Sequence, residues 1–260
     1  MAGPNDSCKG SVEGRVRRRA MAKDGAGAAD PAAQLPQAER AYRRIEAAIV
    51  TCALRPGSFQ RIQDLAALAG TGRTPVHQAV SRLAADTLLD VLPRQGLLVA
   101  PVELGRCRVL LGLRREVERF AIGLAAARAT EGQRSHMRHL AGALRAAGDT
   151  LDLADFNAFD TRIDAVVLEA CGEPFLENTL RPLHSVFRRV GWIWHGLATP
   201  GPDPAASVSA HLDVLDALAD GRGEAAAAAS DALVDLVGRM IDGLSLGAPP
   251  ALLDSRIERY

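Results

Sequence analysis

Apolar residues recur every three to four positions along most of this chain, and short strand-like apolar runs occur in only one place. The first helical stretch begins near Glu39, where Tyr42, Ile45 and Ile49 share one face. It ends at the Arg-Pro-Gly sequence of residues 55–57, because proline and glycine interrupt helices. The pattern therefore predicts a helix with one buried face.

Two shorter helices are predicted directly after it. The first covers about residues 62–68, with Leu65 and Leu68 buried, and Gly70 supplies the break that follows. The second begins at Thr74, and its buried stripe comprises Val76, Val80 and Leu83. Two helices joined by a tight break are typical of a helix-turn-helix.

The strand-like runs come next, at residues 88–92 and 97–100, with a turn over residues 93–96. They predict a two-stranded hairpin, which would be the wing of a winged helix-turn-helix. Pro101 closes this unit, and every apolar pattern from about Leu104 onward is helical.

Six helices are predicted in the remainder of the chain, near residues 104–129, 132–147, 152–171, 175–197, 206–220 and 223–243. The expected fold class is therefore mainly α, with an N-terminal winged helix-turn-helix and a C-terminal all-helical bundle. The expected domains are a disordered tail over 1–35, the winged helix-turn-helix over 36–101, the helical domain over 102–245 and a C-terminal tail over 246–260.

Composition agrees with this picture and narrows the class of protein. Aromatic residues make up only 4% of the chain, which argues against an all-β sandwich. The four cysteines lie far apart without a CxxC pair, so neither a disulfide framework nor a zinc knuckle is expected. No run of 18 uncharged apolar residues is present, and we expect a cytoplasmic protein that does not span a membrane.

The net charge of zero conceals an asymmetry along the chain. Residues 1–100 carry 14 Lys and Arg against 9 Asp and Glu, whereas residues 101–260 carry 17 against 22. A polyanion such as DNA is attracted to the first region and weakly repelled by the second. The asymmetry favours a DNA-reading domain joined to a sensor domain.

The segment GTGRTPVHQAV, which runs from Gly70 to Val80, resembles the DNA-binding domain of the GntR family, and the resemblance covers about 60 residues. The family core is a Gly, two residues, and then Arg-Thr-Pro-Val-Arg-Glu-Ala-Leu. Two polar positions depart from it, because His77 replaces the family Arg and Gln78 replaces the family Glu. The base preference is therefore expected to differ from that of close relatives.

The start of the third helix carries the candidate base-reading residues. Arg73 can form a two-pronged contact with a guanine edge, and Thr74 can touch a phosphate or a thymine methyl group. His77 lies one turn further on the same face, either as a DNA contact or as an ordinary surface residue. At the wing, Arg94 suits a phosphate, and the resemblance implies a minor-groove contact for the tip formed by Gln95 and Gly96. An ordinary hairpin turn is the alternative interpretation of that tip.

Residues 105–240 resemble the FCD domain, the ligand-binding domain of the largest GntR branch. The match rests on LRREVERFAIGLAAARA, FDTRIDAVVLEACGEPFL and AHLDVLDALADG, and it places Arg114 and Glu118 on the family's Arg and Glu. The resemblance implies dimerisation through this domain and a central divalent metal held by one Asp and three His.

That ligand set is incomplete in this sequence. Asp160 matches the family Asp and His211 matches one His. Asp164 stands where a second His is expected, and Leu233 stands where the last His is expected. Asp160, Asp164 and His211 therefore form either a degenerate divalent-metal site or a polar lining of an effector cavity.

The expected effector is a small organic acid. The predicted effector-binding residues are Arg114, Asp160, Asp164, His195 and His211, and further cavity candidates are His184 and Trp194. Arg114 is favoured because a bundle-facing Arg without a local acidic partner can hold a carboxylate through two hydrogen bonds. It can equally pair with Asp160 or Asp164. Trp192 and Trp194 alternate along their helix, so one of them is expected in the core.

These patterns predict a homodimeric regulator of transcription that binds a pseudo-palindromic operator under effector control, because one recognition helix contacts too few base pairs for selectivity. Two alternatives stay open: a ligand-independent architectural DNA-binding protein, and a metal-dependent hydrolase built on Asp160, Asp164 and His211. The sequence contains no nucleophile elbow, P-loop or dinucleotide motif, so no enzymatic activity is expected.

Overall fold

The computed structural model describes residues 35–197, 204–248 and 253. Its elements are α1 (Gln37–Val50), β1 (Phe59–Gln60), α2 (Ile62–Ala69), α3 (Arg73–Ala85), β2 (Leu89–Leu92), β3 (Gly96–Val99), α4 (Leu104–Arg128), α5 (Glu131–Ala147), α6 (Leu153–Cys171), α7 (Pro174–Trp192), α8 (Ala205–Ala219) and α9 (Gly223–Gly247). A 3-10 turn follows α5, and a π-helical segment, Ile193–Leu197, extends α7. The expected tail over 1–35 lies outside the described residues except for its last one.

The mainly α fold with an N-terminal winged helix-turn-helix is confirmed. Helices α1, α2 and α3 enclose one hydrophobic core, to which Tyr42, Leu65 and Leu83 contribute fully buried side chains. Gly70 ends α2 with φ +59°, and a Cβ there would lie 2.8 Å from Nη1 of Arg44, so the tight turn between the two helices needs a glycine.

Two local predictions in this domain are wrong. Helix α1 ends at Val50, several residues before the Arg-Pro-Gly sequence. Leu68 is 39% exposed, because the buried face of α2 is centred on Leu65 and Ala69 and Leu68 lies at its edge.

The wing contains one strand more than the predicted hairpin. Strand β3 lies between β1 and β2, and both pairings are antiparallel. Leu89 pairs with Val99 and Leu92 with Gly96. Strands β2 and β3 therefore form the predicted hairpin, and each strand end lies within one residue of its predicted position. Strand β1 covers only two residues, which is too short to produce an alternating pattern in the sequence.

The remaining helices form a bundle in which α4 packs along α9 and also contacts α6, α7 and α8. None of the helices in the described ranges is long and apolar enough to cross a bilayer. Helix α1 also contacts α7, where Val186 packs against the cores of both the bundle and the winged helix-turn-helix. Nearby, Nη1 of Arg189 donates a hydrogen bond to the carbonyl oxygen of Ala100 at 2.7 Å. Helix α7 therefore contacts both the core of the bundle and the core of the winged helix-turn-helix.

Candidate functional site

The first turns of α3 expose the polar side chains of Arg73, Thr74 and His77. The opposite face buries Val76, Ala79, Val80 and Leu83. A base-reading helix needs this arrangement, because its N-terminal residues must reach the groove while its apolar stripe is held by the rest of the domain.

The wing tip combines exposure with an unusual backbone. Arg94 and Gln95 are exposed, and Arg94 adopts a left-handed conformation with φ +64°. Gly96 has φ +108°, and a Cβ there would lie 3.0 Å from the carbonyl oxygen of Gln60 on β1. The close approach of β1 is thus a structural reason for glycine at this position, and its DNA contact stays a prediction.

A cavity of about 50 Å³ lies inside the helical bundle. All five predicted effector-binding residues line it: Arg114, Asp160, Asp164, His195 and His211. Trp192 also lines the cavity, whereas Trp194 packs against Gly243 on α9. His195 adds a polar contact at the edge, since its Nε2 lies 3.1 Å from Oγ of Ser207.

The expectation that Arg114 lacks a local acidic partner is wrong. Its Nε donates to Oε2 of Glu118 at 2.5 Å, and its Nη2 donates to Oε1 at 3.3 Å. Burial disfavours both charges, but Glu118 raises the pKa of Arg114 and Arg114 lowers that of Glu118. Because the two residues are four positions apart on α4, they already form a buried ion pair without a ligand.

Asp160 and His211 form a second buried pair. Nε2 of His211 lies 3.1 Å from Oδ1 of Asp160, and its Nδ1 donates to the carbonyl oxygen of Ser207 at 2.7 Å. Burial opposes both charges, but the imidazolium lowers the pKa of Asp160 to about 2 and the carboxylate raises the pKa of His211. Both ring nitrogens of His211 are therefore used as donors.

Asp164 has a different environment from Asp160, although both line the same cavity. Burial raises its pKa, with the charge of Asp160 acting in the same direction. Its Oδ2 lies 3.2 Å from Nδ1 of His184, and Nε2 of His184 lies 3.6 Å from Oε1 of Glu118. Within the described part of the chain, neither nitrogen of His184 has a hydrogen-bond partner.

The degenerate metal set does not fit a metal ion in this arrangement. Nε2 of His211 and Oδ1 of Asp160 lie 3.1 Å apart and pair with each other, so a metal would have to break this pair to use either atom. Leu233 lines the cavity and offers no donor atom. Within residues 35–197 and 204–248, no group of three or more His, Cys, Asp or Glu side chains converges on a point that could hold a metal.

Sequence reasoning missed Arg188, which also lines the cavity. Its side chain is only 9% exposed, and its charged neighbours Asp164 and Glu46 lie 3.8 and 3.7 Å away. No motif identifies this residue, because Glu46 belongs to α1 and reaches it only in the folded protein.

Two family models match the chain. The model described as bacterial regulatory proteins, gntR family, matches residues 37–99, and the FCD domain model matches residues 110–236. The HTH-type transcriptional repressor RspR of Escherichia coli (strain K12) is 24% identical over 190 residues, which cover 73% of this chain and 82% of that protein. An HTH-type transcriptional regulator in an unstable DNA locus of Streptomyces ambofaciens is 26% identical over 180 residues, which cover 69% of this chain and 74% of that protein.

Solved structures show the same fold at low identity. E. coli McbR/YncC superposes with a TM-score of 0.71 at 18% identity, covering 82% of this chain and all of that one. A transcriptional regulator GntR from Rhodococcus sp. RHA1 superposes with a TM-score of 0.59 at 20% identity, covering 80% of this chain and 98% of that one. Together, the two matching models and the shared fold lead to one conclusion: the chain belongs to the GntR family of bacterial transcriptional regulators, in the branch that carries an FCD domain.

Proposed function

We propose that this regulator binds a pseudo-palindromic operator as a homodimer in the cytoplasm, and that a small organic acid in the bundle cavity changes its affinity for that operator. The observation that carries the DNA-binding half is the exposed face of α3, where Arg73, Thr74 and His77 stand above a fully buried stripe. Arg73 reads a guanine edge, and Arg94 at the wing contacts a phosphate.

The homodimer is supported by an apolar stripe on α4. Val109, Leu113 and Phe120 are 74%, 49% and 62% exposed, and their spacing of four and seven residues puts them on one helix face. Exposed apolar patches of this kind mark protein interaction sites. A two-fold dimer through α4 would present two recognition helices to half-sites about one DNA turn apart.

The effector half is supported by the charges that line the cavity. Arg188 supplies a buried positive charge whose two carboxylate neighbours lie 3.7 and 3.8 Å away, beyond hydrogen-bond distance, and a carboxylate is the simplest organic group that complements it. The acid binds without a metal, because the Asp160–His211 pair already occupies the donor atoms that a metal would need.

Footprinting and a pair of Arg variants test the DNA-binding half. Arg73→Ala should weaken operator binding by about 1–3 kcal/mol and relax base preference, since it removes a base contact. Arg94→Ala should weaken binding to all sequences, and it should reduce the slope of log affinity against log salt concentration by about one, because one phosphate contact is lost. Arg162→Ala, which removes one exposed charge from α6, is the matched control and should leave affinity unchanged.

Equal affinity of wild type and Arg73→Ala for a footprinted site would contradict the assignment of α3. Binding without sequence preference, together with no response to any acid, would instead favour the architectural DNA-binding protein.

A further inference from the structure

Two voids meet at helices α6 and α7. The first is the bundle cavity, and the second is a groove of about 440 Å³ between α1 on one side and α6 and α7 on the other. The residues that line both are Asn157, Asp164, His184 and Arg188. A group bound at this shared wall is therefore close to the first helix of the DNA-binding domain.

Arg188 is a buried cation in this wall whose hydrogen-bonding capacity is only partly used. Its Nη1 donates to Oγ1 of Thr161 and its Nη2 to Oγ of Ser185 at 3.3 Å, but its buried Nε has no hydrogen-bond partner among the described residues. Both of its carboxylate neighbours lie beyond hydrogen-bond distance. Arg114, in contrast, is already satisfied by Glu118.

Glu46 connects this wall to the recognition helix. It lies on α1, its Oε1 accepts a short hydrogen bond from Oγ of Ser185, and the same oxygen lies 3.7 Å from Nη2 of Arg188. Helix α1 in turn packs against α3 through the core of the DNA-binding domain. The attraction between Glu46 and Arg188 therefore adds to the Ser185–Glu46 hydrogen bond in linking the winged helix-turn-helix to α7.

We propose that Arg188 binds the acid group of the effector, and that this group competes with Glu46 for the guanidinium and loosens α1 from α7. The inference rests on the proposed function, because it requires an acid that changes operator affinity. A ligand carboxylate in the cavity that Arg188 lines would hydrogen-bond the guanidinium, whereas Glu46 lies 3.7 Å away and does not. Once the acid neutralises Arg188, Glu46 loses its cationic neighbour, and the orientation of the reading domain is less restricted.

The consequence for DNA is a weaker operator complex. A dimer binds two half-sites tightly only when its two reading domains are held at the matching separation. Acid binding removes part of that restraint, so the acid binds the free protein more tightly than the DNA-bound protein. Reciprocity requires that DNA weaken acid binding by the same factor.

The test uses the full chain with acetate, succinate, citrate and inorganic phosphate as probes. Thermal unfolding reports binding of each probe, and a mobility shift on the footprinted operator reports coupling. For wild type, we expect at least one carboxylate to raise Tm and to weaken operator binding by about five- to 150-fold. Arg188→Gln should lose both effects, and Arg188→Lys should keep the charge but bind the acid more weakly, because it lacks the planar fork.

Glu46→Gln separates coupling from binding. It leaves Arg188 in place, so the carboxylate should still raise Tm, but operator affinity should no longer respond to it. Arg181→Gln is the matched control, because Arg181 lies on the same helix and lines the groove but not the cavity, and it should respond like wild type.

Several outcomes would overturn the proposal. They are a full operator response in Glu46→Gln, an unchanged Tm shift in Arg188→Gln, a response to phosphate alone, or no response of wild type to any of the carboxylates. Operator binding by the acid-free wild type is measured in the same assay, so a failure of the proposed DNA-binding function is recognised separately.

Discussion

His211 is held as an imidazolium by the two groups on either side of its ring. A carbonyl oxygen can only accept, so Nδ1 must donate to Ser207, and Nε2 then donates to the carboxylate of Asp160. Each charge persists in the buried cavity because the other compensates it. Removing either partner would leave an unpaired buried charge or force the remaining group to become neutral.

This pair predicts a pH-dependent stability. The raised folded-state pKa of His211 means that its contribution is complete below its ordinary value of 6.5 and is lost as the pH rises through the folded value. The pKa of Asp160 falls from 3.8 to about 2, so its contribution of about 2 kcal/mol is present above 3.8 and is lost as the pH falls toward 2. Urea unfolding of wild type and His211→Gln should therefore differ most near pH 5.5 and converge toward pH 9.

The pKa of Asp164 is also raised, so this residue too makes the fold less stable as the pH rises. Comparing wild type with His211→Gln isolates the contribution of His211, because both proteins retain Asp164. A difference between the two proteins that stays constant from pH 5.5 to 9 would show that His211 does not titrate with the raised pKa.

The same geometry predicts that the protein is independent of metal. A metal at Nε2 of His211 would have to displace the proton shared with Asp160, and Leu233 contributes no ligand. Purified protein should therefore contain far less than one equivalent of zinc or nickel, and a chelator should leave Tm and the acid response unchanged. A stoichiometric metal whose removal lowers Tm would contradict this.

The helices were predictable where an amphipathic pattern runs over several turns, and the short elements were not. The bounds of α4, α5 and α6 agree with the expectation within one residue or so, because their buried faces repeat many times. Strand β1 forms only because β3 lies beside it, and the exposure of Leu68 depends on which neighbours cover an eight-residue helix. Such features come from tertiary packing.

The turn between α2 and α3 gives a prediction at the scale of an element. Gly70→Ala should destabilise the protein by about 1–2 kcal/mol, because φ +59° is unfavourable for alanine and its Cβ would contact Arg44. Gly142→Ala, in the middle of α5 with open space around it, should stabilise by about 0.5–1 kcal/mol. Denaturant unfolding measures both, and effects of the same sign would contradict the role assigned to Gly70.

At the scale of the whole molecule, residues within one motif could be predicted as sites, whereas contacts between domains could not. Arg73 and Thr74 share one helical turn, and Asp160 and Asp164 share one face of α6, so their spacing is visible in the sequence. Glu46 meets Ser185 across 139 residues, and no local pattern connects them. Arg114 and Glu118 are four apart and could have been paired from their spacing alone.

The α4 stripe leads to a prediction about assembly. Phe120→Glu places a charge on the exposed face shared with Val109 and Leu113, and burying that charge in a dimer would cost several kcal/mol. Light scattering should therefore show a dimer for wild type and a monomer for the variant at micromolar concentration. Operator affinity of the variant should fall because dimerisation is lost, and a single recognition helix contacts only one half-site.

Phe175→Glu is the matched control for this experiment, since Phe175 is 75% exposed but lies on α7 instead of α4. It should remain dimeric and bind the operator like wild type, which separates the position of the charge from its general effect on stability. A dimeric Phe120→Glu with wild-type operator affinity would place the interface elsewhere on the molecule. A monomeric wild type with an asymmetric, single-site footprint would instead contradict the dimer itself, because one recognition helix would then supply the whole of the sequence preference.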